Sequence, residues 1–125
     1  MKTILLIDDN EEILENLAEY LEIEGYKVHI ACNGKTGIMF AQEFIPDLVI
    51  CDVLMPEMNG HEVLQHLSQN HQTSTIPIIF STSLSEKNEI AQAYHEGAHD
   101  YIIKPFEMKE LLHKIETCIH TNVEK

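Results

Sequence analysis

Apolar and polar positions along this chain alternate between two periods. Short β-type apolar runs predict strands at residues 4–7, 28–31, 48–51, 76–80 and 101–103. Between them apolar residues return every three or four positions, as on one face of a helix. The first such stretch places Ile13, Leu17 and Leu21 on one stripe and its Glu residues elsewhere. Others run over about 35–44, 60–67, 86–96 and 107–119, the last with Met108, Leu111, Leu112, Ile115 and Ile119 at core spacing.

The punctuation agrees. Gly25 follows the first helix, Asn33-Gly34 follows the second strand and Pro46 precedes the third. Ser83 with Glu86, or Ser85 with Asn88, could cap the fourth helix. Five β-then-α units with near-continuously apolar strands predict an α/β fold, a parallel sheet covered by helices on both faces. Strand twist makes the crossovers right-handed. In such sheets the functional crevice lies beyond the carboxyl ends of the strands.

Composition narrows the classes. A chain of 125 residues with 44% hydrophobic and 23% charged residues suits one globular domain, with a core over about 3–119. The formal net charge is -13, and every basic residue is Lys. Such a surface repels phosphate backbones, so no direct nucleic-acid binding is expected. No apolar run approaches the ~20 residues of a membrane span, and no signal peptide is expected. Cys32, Cys51 and Cys118 are an odd, widely spaced set, which fits reduced thiols in the cytoplasm rather than disulfides or zinc. His61, His66 and His71 recur every five residues, which does not share a helix face, and Gly97 separates His95 from His99; these read as scattered solvent histidines.

The strand ends carry the chemistry. The first ends in Asp8-Asp9, the third in Asp52, the fourth in Ser81-Thr82-Ser83 and the fifth in Lys104-Pro105. Parallel strands bring these to one edge, although singly each has a plainer role; Asp9 or Asn10, for example, could be a helix N-cap. Three carboxylates at close range cannot all stay ionised without a cation, and Lys104 supplies one charge against three. A divalent ion balances the sum, and crowded hard oxygens suit Mg²⁺. No G-x-x-x-x-G-K-[ST] or G-x-G-x-x-G loop is present to cradle a nucleotide. What remains is a carboxylate beside Mg²⁺, with a lysine and a hydroxyl to hold phosphoryl oxygens. That set suits phosphoryl transfer to a carboxylate, giving an aspartyl phosphate.

With "DD" at Asp8-Asp9, "PDLVICDVLMPEMNG" around Asp52, "ST" ending at Thr82 and "GAHDYIIKPF" around Lys104, the chain resembles a response-regulator receiver domain of two-component signalling, of the chemotaxis-regulator kind, over essentially its whole length. The resemblance implies a five-stranded, flavodoxin-like sheet of order 2-1-3-4-5. It implies Asp52 as phosphoacceptor, charged by a sensor kinase phosphohistidine, a phosphotransfer protein or a small donor. Asp9 would ligate Mg²⁺ directly and Asp8 mainly through water, with Asp52 and the Leu54 backbone carbonyl completing the protein ligands. Thr82 and Lys104 would each hold a phosphoryl oxygen. Tyr101 would be the switch aromatic, turning inward with Thr82 and reshaping the face of the fourth helix, fifth strand and fifth helix. Pro105 matches a cis-peptide position and Gly60 the glycine after the Met55-Pro56 turn. Ser83, where the family often has Ala, and Cys51, before the acceptor, depart little.

On this reading the chain is a signalling switch rather than an enzyme, catalysing only its own phosphorylation and dephosphorylation. Its partner is a downstream protein or an output domain, and a phosphorylation-dependent dimer is compatible with it. Competing readings are a receiver within a longer regulator with DNA-binding or enzymatic output, and a binding module that is never phosphorylated. A flavin module would want a Gly- and hydroxyl-rich phosphate loop where "DDNEE" stands. An Asp-nucleophile phosphohydrolase would carry a second Asp where Leu54 stands.

Leu54 and Leu84 lie two residues beyond Asp52 and Thr82, where the resemblance places the path of hydrolytic water. Neither side chain can orient that water by hydrogen bonding. The phosphorylated chain is therefore expected to lose its phosphoryl group slowly. An acid-quenched time course checks this, and a half-life of seconds overturns it.

Overall fold

The computed structural model describes residues 1–83 and 97–123. Five parallel strands form one sheet: β1 (Thr3–Ile7), β2 (Lys27–Ala31), β3 (Leu48–Asp52), β4 (Ile78–Thr82) and β5 (Asp100–Ile103), in the order β2-β1-β3-β4-β5. The described helices are α1 (Glu11–Ile23), α2 (Gly34–Phe44), α3 (Gly60–Gln69) and α4 (Met108–Val123). The helix expected over about 86–96, its capping candidates Ser85, Glu86 and Asn88, and also Leu84 and His95, lie outside the described residues.

The apolar strand runs are explained by burial on both faces. Successive side chains on a strand point to opposite sides. Ile4, Leu6, Leu48, Ile50, Ile79 and Ile102 therefore meet Leu14 and Leu21 of α1 and Leu111 and Ile115 of α4. Leu5, Ile7, Val49, Cys51, Ile78 and Phe80 face the other way, onto Ala41 of α2 and Val63, Leu64 and Leu67 of α3. Each such Leu or Ile, taken wholly out of water, contributes on the order of 1.5–3 kcal/mol. The edge strand β2 is less apolar for the same reason: Lys27 and Ile30 are exposed and His29 is half-buried.

Asparagine caps three of the helices. Asn10, Asn33 and Asn59 accept hydrogen bonds from the backbone N–H of Ile13, Thr36 and Glu62 at 3.1, 2.8 and 2.9 Å. At α3 the Glu62 side chain also accepts from the Asn59 N–H, completing a capping box. Asn10 rather than Asp9 is thus the cap of α1, and Asp9 is released for other work.

β4 sits two residues later than its apolar pattern suggests, over Ile78–Thr82 instead of 76–80. Pro77 has no N–H to give to a ladder, and Ser81 and Thr82 pair with Ile102 and Ile103 of β5. Their polarity suggests a strand end, yet both are buried.

Gly60 fixes α3 on the end of β3. Its N–H donates to the Val53 carbonyl at 2.8 Å. A Cβ there would lie 2.7 Å from the Asp52 carbonyl oxygen and 3.0 Å from the Val53 Cα. Backbone cannot step aside as a flexible side chain can. Gly60→Ala is expected to lower stability by about 1–3 kcal/mol, the usual range for overpacking. The check is a drop in urea midpoint at unchanged slope; an unaltered midpoint contradicts it.

Candidate functional site

Three strand ends carry the site to one edge of the sheet. β1 continues into Asp8, whose N–H donates to the Ala31 carbonyl at 3.1 Å. β3 ends on Asp52, and Val53 N–H holds the Ser81 carbonyl at 3.1 Å. Asp8 and Asp52 are buried and Asp9 is exposed. Ligand oxygens of all three carboxylates lie within 4.8 Å of one another.

Among the described residues one cation, just past the end of β5, faces them. Lys104 Nζ stands 3.1 Å from Asp8 Oδ2 and 3.7 Å from Asp52 Oδ2. Lys104 N–H donates to the Thr82 carbonyl at 2.7 Å, which anchors this residue beside β4; the Lys104–Pro105 peptide is cis. The other Asp8 oxygen accepts from Asn10 N–H at 2.9 Å. Burial pushes the Asp52 carboxyl up to about 6; Lys104 opposes this, Asp8 and Asp9 reinforce it, and a hydrogen bond from Leu54 N–H opposes it. One ammonium thus fails to offset burial and two neighbouring anions. A set of three hard oxygen donors with that charge deficit could hold a metal ion.

The other expected site residues are placed as follows. Thr82 is buried at the end of β4, on the opposite face to Ser81. Leu54 contributes its backbone N–H to Asp52, while its side chain is 56% exposed. Tyr101 is half-buried against the α2/α3 side of the core, with Lys114 Nζ 5.5 Å from its ring centre. Lys114 is held there by the Asp100 carboxylate at 3.2 Å. The Cys51 thiol lies on the face away from Asp52. Burial holds its pKa far up, so it stays a neutral packing group. His66, His71 and His99 are exposed, but His61 is not a plain solvent residue: its ring packs edge-on to Phe80 at 5.5 Å. Sequence reasoning missed the Leu54 N–H, since backbone donors leave no residue signature, and passed over Ser81 as a strand end.

The comparisons with known proteins agree with this fold. The family model described as "Response regulator receiver domain" matches residues 4–116. The chain is 34% identical over 119 residues to the DNA-binding dual master transcriptional regulator RpaA of Synechocystis, covering 95% of the chain and 49% of that protein. It is 36% identical to the regulatory protein AtoC of Escherichia coli, covering 86% of the chain and 23% of that protein. The chain thus spans about half or less of these relatives. Among solved structures, a Clostridium thermocellum response regulator receiver domain protein superposes with TM-score 0.91 at 30% identity, covering 98% of this chain and 97% of that one. The Vibrio cholerae chemotaxis protein CheY4 gives 0.90 at 28% identity, covering 94% and 98%.

The raised Asp52 pKa has a signed consequence. The folded carboxyl keeps its proton to about pH 6, the unfolded one only to about 3.9. Between these values the folded state binds more protons, so stability falls as pH rises through the window. Without divalent ions, Asp52→Asn is expected to melt above the wild type at pH 7, the gap closing by about pH 4. Superimposable melting curves across that range refute the assignment.

Proposed function

The chain belongs to the response-regulator receiver domain family, and on that premise we propose that it is a phosphorylation-activated signalling switch whose phosphoacceptor is Asp52. The observation that carries this reading is the convergence of Asp8, Asp9 and Asp52 within 4.8 Å, with Lys104 Nζ against two of them. An Asp52 carboxylate oxygen attacks phosphorus; the O–P bond forms as the P–N bond of a phosphohistidine breaks, and imidazole leaves. The donor is a sensor histidine kinase, or a phosphotransfer protein in a phosphorelay.

Mg²⁺ would be held by Asp8, Asp9, Asp52 and the Leu54 carbonyl, and would neutralise the crowded carboxylates and incoming phosphoryl oxygens. Lys104 leaves Asp8 far enough to hold one phosphoryl oxygen, and the Thr82 hydroxyl takes another. Receivers are signalling proteins rather than enzymes in the ordinary sense, and this chain's catalysis is confined to gaining and losing its own phosphoryl group. An apolar groove of about 520 Å³ beside Lys104, walled by Ile13, Leu17 and Phe106, supports docking of the donor protein there.

The output follows from Thr82 and Tyr101. Drawing the Thr82 hydroxyl toward the phosphoryl group frees space on the α2/α3 side of β4, into which the Tyr101 ring turns. That reshapes a face formed by β5, α4 and the helix expected over 86–96, a local charge event that biases a two-state element. A downstream protein, an output domain or a second phosphorylated copy would read it. The receiver unit has its core over about 3–119 and works in the cytoplasm, where phosphohistidine donors and reduced thiols are found; no helix of the described residues is long and apolar enough to cross a membrane. A second reading sets the same switch within a longer regulator, favoured by relatives roughly twice or more its length. The surface, at net charge -13, speaks against nucleic-acid contact by this chain itself.

Intact mass after incubation with acetyl phosphate or phosphoramidate is expected to rise by one phosphoryl group. The gain requires Mg²⁺ and is absent from Asp52→Asn. No adduct on well-folded wild type would leave the fold untouched and turn the reading toward a binding module.

A further inference from the structure

Asp8, Asp52 and Ser81 stand in one row across three adjacent strands. The register sets Ile7 beside Cys51 and Asp52 beside Ser81. Leu6, Ile50 and Ile79 point to the α1/α4 face, so the residues two further along, Asp8, Asp52 and Ser81, share it. Neighbouring strands are ~4.8 Å apart, which puts Ser81 next to Asp52 on the side away from Asp8.

Ser81 is 5% exposed, and its Oγ has no hydrogen-bond partner among the described residues. Buried hydroxyls in native proteins are nearly always paired, with protein or with ordered water. Ser81 lines a cavity of about 10 Å³ together with Asp8 and Asp52, against an apolar wall that includes Leu14, Ile50 and Phe106. That volume holds about one water, and three polar neighbours fall within the two to four partners a buried water needs.

We propose that one ordered water occupies this cavity and that Ser81, acting through it, is a positioning residue for Asp52. The Ser81 hydroxyl donates to the water oxygen. The water donates one hydrogen to Asp52 and the other to Asp8, so the Ser81 hydroxyl gains a partner and both water hydrogens are used. Bridging the carboxylates from their buried side eases their repulsion and fixes the rotation of Asp52, leaving its outer oxygen toward the phosphoryl donor. The positioning role rests on Asp52 being the phosphoacceptor; the water does not.

Two measurements on the full chain decide it. A crystal structure at a resolution that shows ordered solvent is expected to place one water within hydrogen-bond distance of Ser81 Oγ and of a carboxylate. Phosphorylation by phosphoramidate is followed at saturating donor and Mg²⁺ for wild type, Ser81→Val and Ser81→Thr. Valine adds one methyl, lacks the hydroxyl that would hold the water and suits a strand, whereas threonine adds the same methyl and keeps the hydroxyl. Ser81→Val is expected to react about fivefold more slowly at unchanged half-saturating Mg²⁺, the loss of one hydrogen bond's worth of orientation, and Ser81→Thr to stay within about twofold of wild type. A dry cavity overturns the water. Wild-type rates in Ser81→Val, or equal slowing in Ser81→Thr, overturn the positioning role even with the water present. If wild type forms no adduct, the phosphoacceptor reading and the positioning role fall together, while the crystallographic result stands by itself.

Discussion

The contact between Lys104 and Asp8, 3.1 Å long and joining residues 96 apart in sequence, carries the logic of the molecule. It ties the far end of the sheet's chain path to its first strand, across β3 and β4. It is also deliberately insufficient: Asp52, 3.7 Å from the same ammonium, is left with a proton affinity raised to about pH 6. Were the anions balanced by protein cations, nothing further would be attracted to them. The fold maintains an electrostatic deficit at one edge, and its core supplies the stability to tolerate it.

That tolerance depends on the division of labour between the two sheet faces. On β3, Val49 and Cys51 pack toward α2 and α3, whereas Leu48, Ile50 and then Asp52 lie toward α1 and α4. On β4 the alternation sends Ser81 to the Asp52 side and Thr82 to the other. The two hydroxyls, adjacent in sequence, therefore serve different compartments. One lies on the face of the carboxylate; the other, by strand alternation, lies on the face of Ile78 and Phe80, whose cluster Tyr101 packs on.

Much of this was legible in the sequence, and for definable reasons. Burial on both sides imprints β1, β3 and β4 with apolar runs, so strands and their parallel arrangement could be read directly. The rule that active groups gather at strand ends then nominated Asp8, Asp9, Asp52, Thr82 and Lys104, and the family resemblance supplied the strand order. Legibility failed where polarity and burial part company. Ser81 and Thr82 end β4 as their polarity suggests, yet both are buried, Ser81 paired with Asp52 and Ile102 and Thr82 with Ile103. It failed again at His61, whose ring finds Phe80 only through the α3 start, and at the Leu54 N–H, a backbone group that any residue type except proline would present in the same way.

The turn from β1 into α1 has a further consequence. Asp8 is held in the ladder by Ala31, Asp9 offers its carboxylate to the cluster, Asn10 caps, and Glu11 already belongs to the helix. Four consecutive residues have four separate tasks, with no spacer among them. Substitution at Glu11 alters a surface charge, but inserting or deleting one residue here would move a carboxylate off the cluster or a cap off the helix. Chain length is therefore constrained more tightly than composition in this segment.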